Sequence, residues 1–268
     1  MKLQILGSGG AIPTPRPFCV CDVCKKARTI GAPYKRNSCS LYVHDIKALV
    51  DCGEDIADAL NKSDISDVDN LFITHRHPDH TFGLRNVLQS YFDFVEEKKQ
   101  KVIQLYMPKR VHEDMKIHYP SINYFVDVLG LANIVYIEHN QSVTIGDTQV
   151  TAIGFTGEKS ETYGYLFEQG RKRFLYTPCD TISFQQEAQN LDLLITECGV
   201  FSHEKVKSEI GFPQLMDRLK LYAPKKTLLT HIEEIEINAW GLDYLEKMKN
   251  TYKDVPFDFA HDGLIIDL

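Results

Sequence analysis

The chain is 268 residues long, with 43% hydrophobic and 25% charged side chains, enough to bury a core without disulfide staples. Thirty Lys and Arg against 37 Asp and Glu leave a net charge of −7, which counts against a protein that grips nucleic acid through its phosphates. No run approaches the roughly 18–20 apolar residues of a membrane span, and the N-terminus lacks the apolar core of a signal peptide. A cytoplasmic location is expected. An odd number of cysteines, seven, then points to free thiols or metal ligands.

In chain order, short apolar or alternating runs predict strands at Lys2–Leu6, Ser40–His44, Lys47–Asp51, Asn70–Thr74, Val102–Met107, Thr148–Phe155, Thr162–Glu168, Arg173–Thr177, Asp192–Glu197, Lys226–Thr230 and Gly263–Asp267. Helical spacing falls at Glu54–Asn61, His80–Phe94, Lys109–His118, Ser183–Asn190, Phe212–Leu221 and Leu242–Asn250. Glu96–Lys101 reads as a solvated connection after a helix. Each half runs from a strand-rich meander into strand–helix units, an α/β pattern that two sheets between outer helices would satisfy. No repeat, low-complexity tract or Pro/Ser linker divides residues 1–268, so one domain is expected.

The strongest chemical signal is Thr74-His75-Arg76-His77-Pro78-Asp79-His80, delivered by the apolar run Leu71-Phe72-Ile73. Neutral imidazoles and a carboxylate are the usual donors for zinc, iron and manganese. Positions 75, 77, 79 and 80 share no face of a helix or strand, so they converge only on a turn. A His-rich surface loop is the bland alternative, but three of the ten histidines fall within these six positions. The spacing allows His75 and His77 to hold one ion while Asp79 and His80 reach a second. Asp180, after Phe174–Cys179, and His231, after Thr227–Thr230, end later strands. Each alone reads as a turn aspartate or an edge histidine; beside the cluster they complete a two-metal site. Gly7-Ser8-Gly9-Gly10 lacks the Lys-Ser/Thr of a phosphate loop and reads as a tight turn that lets backbone approach the metal edge.

His75-Arg76-His77-Pro78-Asp79-His80, Asp51-Cys52-Gly53, Asp180 and Leu229-Thr230-His231 resemble the metallo-β-lactamase superfamily over the whole chain. With Gly7-Ser8-Gly9-Gly10 and Cys19-Val20-Cys21-Asp22-Val23-Cys24, the sequence is similar to the PhnP-type phosphodiesterases within it. The resemblance implies an αββα sandwich with two divalent ions (zinc, manganese or iron) at one edge of the sheets. His75 and His77 would serve one ion, Asp79, His80 and His231 the other, and Asp180 would bridge them, with Asp79 and Asp180 the catalytic candidates. A structural zinc would sit in the Cys-rich loop 19–24 on Cys19, Cys21 and Cys24. Its family ligand, a His, is replaced here by Glu234, with Cys39, His44 or a water as alternatives. Three free thiols in a loop is the competing reading. Cys52, Cys179 and Cys198 read as small buried apolar residues.

Two positions depart from the family. Thr156-Gly157-Glu158 stands where a metal-binding His is expected, so the His75/His77 ion keeps only Asp180 besides, unless Glu158 turns inward. That ion should be the weaker. Glu209 stands where a His is often found near the reacting phosphate. The expected function is a metal-dependent phosphodiesterase of small cyclic or nucleotide-like esters, with no nucleic-acid or membrane partner, and a homodimer remains open. The alternatives are another ester (a lactone, a thioester or an RNA 3′ end) or a metal-binding homologue without turnover.

Overall fold

The computed structural model describes residues 1–183, 189–201 and 209–268. Its strands are β1 (Lys2–Gly7), β2 (Ser40–Val43), β3 (Ala48–Val50), β4 (Asn70–Phe72), β5 (Phe92–Asp93), β6 (Lys98–Lys99), β7 (Ile103–Met107) and β8 (Ala132–Tyr136) in the first half. The second half carries β9 (Ser142–Ile145), β10 (Thr148–Gly154), β11 (Tyr163–Gln169), β12 (Lys172–Thr177), β13 (Leu193–Glu197), β14 (Thr227–Thr230), β15 (Phe257–Phe259) and β16 (Ile265–Asp267). They form two seven-stranded sheets, ordered β16-β1-β2-β3-β4-β7-β8 and β15-β14-β13-β12-β11-β10-β9. In each, an antiparallel meander gives way to parallel neighbours: β3, β4, β7 and β8 in one, β12, β13, β14 and β15 in the other. The expected α/β sandwich is what forms.

Strand periodicity explains why two apolar layers arise from one sheet. Along β12, Phe174 and Tyr176 enter the core between the sheets, while Leu175 faces the layer beneath the helix Phe212–Tyr222. The next strand repeats this, with Leu193 and Ile195 on the inter-sheet side and Leu194 beneath that helix. Strands covered on both faces read as unbroken apolar runs, which is why this part was legible. Between the sheets, Phe72 stacks on Tyr106 at 4.5 Å and meets Tyr165 edge-on at 5.1 Å. Emptying such a position, as in Phe174→Ala, costs about 3–5 kcal/mol. Val111 and Met115 of the helix Lys109–His118 cover the other sheet from outside.

Several expectations need correction. The helix expected over His80–Phe94 is two short ones, Pro78–Thr81 and Leu84–Gln89, because Gly83 passes directly over backbone. A Cβ there would lie 2.0 Å from the Gly53 carbonyl oxygen. Part of the presumed connection Glu96–Lys101 pairs instead, as the ribbon β5–β6. Half of the Cys-rich loop is helical, Asp22–Ile30, with Cys21 accepting the Cys24 N–H at its start. The helix expected over Ser183–Asn190 falls mostly outside the described residues. Among the described residues, no helix is long and apolar enough to cross a membrane.

Candidate metal centre

Parallel strands deliver the site at their C-terminal ends, where open α/β sheets gather ligand-binding groups. After β4 come His75, His77, Asp79 and His80; after β3, Asp51; after β12, Cys179 and Asp180; after β14, His231. Asp51, Asp180 and His231 each adopt the left-handed backbone region, with φ of 60°, 55° and 54°. Non-glycine residues there are uncommon and cluster at functional sites. Gly53 lets the chain after β3 close on the motif, since a Cβ would lie 2.4 Å from the Asp79 carbonyl oxygen. The Cys52 N–H donates to the His80 carbonyl at 2.8 Å, locking the two segments together.

Hydrogen bonds then orient each imidazole. Thr74 Oγ1 donates to Asp51 Oδ2 at 2.8 Å, so it accepts from His75 Nδ1 at 3.0 Å. His75 Nε2 is left 2.9 Å from His77 Nδ1, two ring nitrogens facing one point. Asp79 Oδ2 lies 3.1 Å from His80 Nε2 and 3.4 Å from His231 Nε2. Burial would raise the Asp79 carboxyl, but His80 and His231 outweigh it and hold it well below the usual range. Burial would likewise lower both histidines, yet Asp79 and Asp51 raise His80, while Cys179 and Asp79 raise His231.

The donors fall into two groups, each with all ligand atoms within 4.8 Å of one another: His75, His77, Cys179 and Asp180, and His80, Cys179 and His231. These are softer and harder donors that suit a transition metal. His80 Nε2 is fully buried with no well-aligned hydrogen bond and faces Asp79 Oδ2 at 3.1 Å, an arrangement that suits a cation held by both. The residues therefore fit two divalent ions. Asp180, expected between the groups, belongs to one only, and Thr162 Oγ1 donates to its Oδ2 at 3.3 Å. Cys179, read as a small apolar residue, is the member common to both. Thr156 is exposed and joins neither; the Glu158 side chain lies outside what is described.

A cavity of about 340 Å³ opens on this centre, lined by His77, Asp79, Cys179, Asp180 and His231 with Glu197, Glu209 and Glu233. Glu209 thus stands at the cavity, as its sequence position suggested. Sequence reasoning missed Glu197, the last residue of β13, whose carboxyl burial and Cys179 push up to about 8. Glu233 Oε1 accepts the Ala11 N–H at 2.7 Å. The Gly7–Gly10 turn does approach this edge: the Ile232 N–H, next to His231, donates to the Ser8 carbonyl at 3.0 Å.

A third donor group joins Cys19, Cys21, Cys24 and Glu234, again with all ligand atoms within 4.8 Å. Glu234 Oε1 lies 2.7 Å from Cys21 Sγ, and Oε2 is buried without a hydrogen bond, 3.5 Å from Arg16 Nε. Burial, then Glu234, pushes the Cys21 thiol up to about 12, which a cation in the group would reverse. Three sulfurs and a carboxylate suit one zinc. The alternative donors lie elsewhere. Cys39 Sγ contacts Tyr176 Oη at 3.3 Å in the core, and His44 Nε2 lies 3.1 Å from Gln4 Oε1.

Over residues 47–232, more than half of the chain, the sequence matches a beta-lactamase superfamily domain. Ribonuclease Z from Methanococcus maripaludis is 31% identical over 135 residues, covering 48% of this chain and 37% of that protein. Ribonuclease Z from Bacteroides fragilis is 27% identical over 156 residues, covering 53% and 44%. The chain thus spans less than half the length of these curated relatives. Two solved structures overlay almost completely. A new diphosphatase from the PhnP family does so with a TM-score of 0.75, 21% identity and coverage of 99% and 96%. Zn(2+)-bound PqqB from Methylobacterium extorquens gives 0.78, 18% identity and full coverage of both chains. At such identities the likeness is one of fold. Family model and fold agree, and the chain belongs to the beta-lactamase superfamily.

Proposed function

We propose that this chain is a metal-dependent hydrolase that cleaves small cyclic or nucleotide-like phosphodiesters. The observation that carries the reading is the convergence of two donor groups, His75/His77/Cys179/Asp180 and His80/Cys179/His231, beside one cavity. His75, His77 and Asp180 would hold one ion and Asp79, His80 and His231 the other, and zinc, manganese and iron all suit such donors. When bound, a pair of divalent ions lowers the pKa of a coordinated water and offsets charge on the ester oxygens.

The protein's own groups do the rest. Asp79, held ionised by its two histidines, would accept a hydrogen bond from the attacking water and so orient it. Glu197 and Glu209 sit where a leaving oxygen could take one. Asp79, Asp180, Glu197, Glu209, Glu233 and Glu236 line the cavity, and no Lys or Arg does among its described residues. These carboxylates would repel further phosphates inside the cavity itself, which supports a small ester. Resemblance to ribonuclease Z keeps RNA 3′-end cleavage as the second reading.

The test offers the zinc-loaded and manganese-loaded protein a chromogenic phosphodiester, 2′,3′- and 3′,5′-cyclic nucleotides, a lactone and a 3′-extended RNA. Turnover of small phosphodiesters, lost in His77→Ala, is expected. Cleavage of the RNA alone would install the second reading. No turnover with both ions bound would leave a metal-binding homologue.

A further inference from the structure

The four cysteines that lie outside the N-terminal group, all within the sheets or at their ends, are not alike. Cys39 and Cys52 belong to the apolar core between the sheets, and Cys198 to the layer beneath Phe212–Tyr222. Cys179 is as buried, 4% exposed, yet belongs to neither apolar cluster. Its neighbours are ring nitrogens and a carboxylate. We propose that Cys179 is a thiolate ligand shared by both ions, and that it supplies the donor that Thr156 does not. This rests on reading the His75–His80 cluster as a metal centre.

Three observations carry it. Cys179 Sγ is, among the described residues, the one donor common to the His75/His77/Asp180 group and the His80/His231 group. The carboxylate expected in that place, Asp180, reaches only the first. And in the second group the fully buried His80 Nε2 makes no well-aligned hydrogen bond and, with His231 Nε2, faces Asp79 Oδ2 at 3.1 and 3.4 Å, a convergence of donors that suits a cation. With Cys179 counted, the His75/His77 position has four protein donors instead of three. The weakness expected there from Thr156 disappears. A sulfur at the shared position also shifts preference from manganese towards zinc, because thiolate is a soft donor.

Cobalt(II) replaces zinc and reports sulfur ligation directly through a thiolate-to-metal charge-transfer band. The experiment compares the cobalt-loaded unaltered chain, Cys179→Ser, Cys21→Ser and His77→Ala. Cys179→Ser should lose charge-transfer intensity beyond what Cys21→Ser removes, and should bind its active-site ions at least about tenfold more weakly in chelator competition. Retained intensity and affinity in Cys179→Ser, with metal lost in His77→Ala, would overturn the thiolate assignment and leave the metal centre standing. Full metal content in His77→Ala would instead overturn the metal-centre reading. Cadmium-113 resonances of the unaltered protein make the test independent of whether the variants fold. Beyond the N-terminal site, resonances shifted towards sulfur ligation support the proposal, and nitrogen/oxygen positions alone defeat it.

Discussion

Asp51 Oδ2 lies 2.8 Å from His80 Nδ1, and both side chains are fully buried. A carboxylate can only accept, so the Nδ1 atom carries the proton and Nε2 is left as the donor facing Asp79 and His231. Asp51 therefore sets both the tautomer and the ring orientation of a proposed metal ligand from outside the ligand set. Such supports typically govern 10–100-fold in metal affinity. Asp51→Asn should weaken active-site zinc by about that much in chelator competition while leaving the N-terminal site unaffected. Unchanged affinity would mean that packing alone holds His80.

His77→Ala and His80→Ala remove donors from different groups, so each should lower active-site metal and abolish hydrolysis. His77 is only partly buried, and His77→Ala should leave the melting temperature of the metal-free protein within a few degrees of the parent. His80 is fully buried against Asp51, and its loss leaves that carboxylate only the Thr74 N–H and hydroxyl as donors, at a cost of about 1–3 kcal/mol. Elemental analysis and thermal melts of the stripped proteins check both. Normal metal in either variant would remove that residue from the ligand set.

The N-terminal thiols should act on stability rather than on rate. Glu234 lies three residues beyond His231, so an ion on Cys19, Cys21, Cys24 and Glu234 would pin the segment that carries His231. Metal binding to folded protein alone adds to folding free energy. Chelation should lower the melting temperature of the parent, and Cys21→Ser should start near that lower value and respond little to removal of this ion. A variant melting with the loaded parent would restore the reading of three free thiols.

Much of the fold could be read because the parallel strands, buried on both faces, advertise themselves as runs such as Leu193-Leu194-Ile195. The strands that escaped notice lie at or next to sheet edges. Ala132–Tyr136 and Ser142–Ile145 are only half-buried; the first mixes polar with apolar residues without a period, and the second alternates over four residues only, too short a run to stand out. In the site, the His75–His80 spacing carried its own signal, and Asp180 and His231 stood out as polar residues ending apolar runs. Cys179 did not. Like Cys52 and Cys198, it directly follows or closely trails a strand, and a thiol is at home in an apolar layer. Only the pairing of the two sheets decides that Cys179 meets imidazoles while the others meet Leu and Phe. Glu197 was hidden the same way, as the last residue of a strand with no motif around it.

The Gly7–Gly10 turn is held to the sheet edge by a polar relay whose charge should show in the pH dependence of stability. Arg36, 4% exposed, donates from Nη1 to Ser8 Oγ at 2.8 Å, and Ser8 Oγ donates to Asp262 Oδ1 at 2.8 Å. Asp262 also accepts the N–H groups of Ser8 at 3.0 Å and Asn37 at 2.7 Å. Burial still dominates and pushes the Asp262 carboxyl up to about 6, against roughly 3.9 in an unfolded chain. Between those values the folded protein keeps a proton that the unfolded chain has released. Stability from this group is fully present below about pH 4 and is lost as pH rises through about 6, by at most about 3 kcal/mol. Asp262→Asn is neutral throughout and lacks that slope. In urea unfolding at pH 4, 5, 6 and 7, the stability of the parent relative to Asp262→Asn should fall across this window and then level off. A difference that stays constant, or that grows with pH, would show that the three donated hydrogen bonds and Arg36 outweigh burial and keep Asp262 ionised.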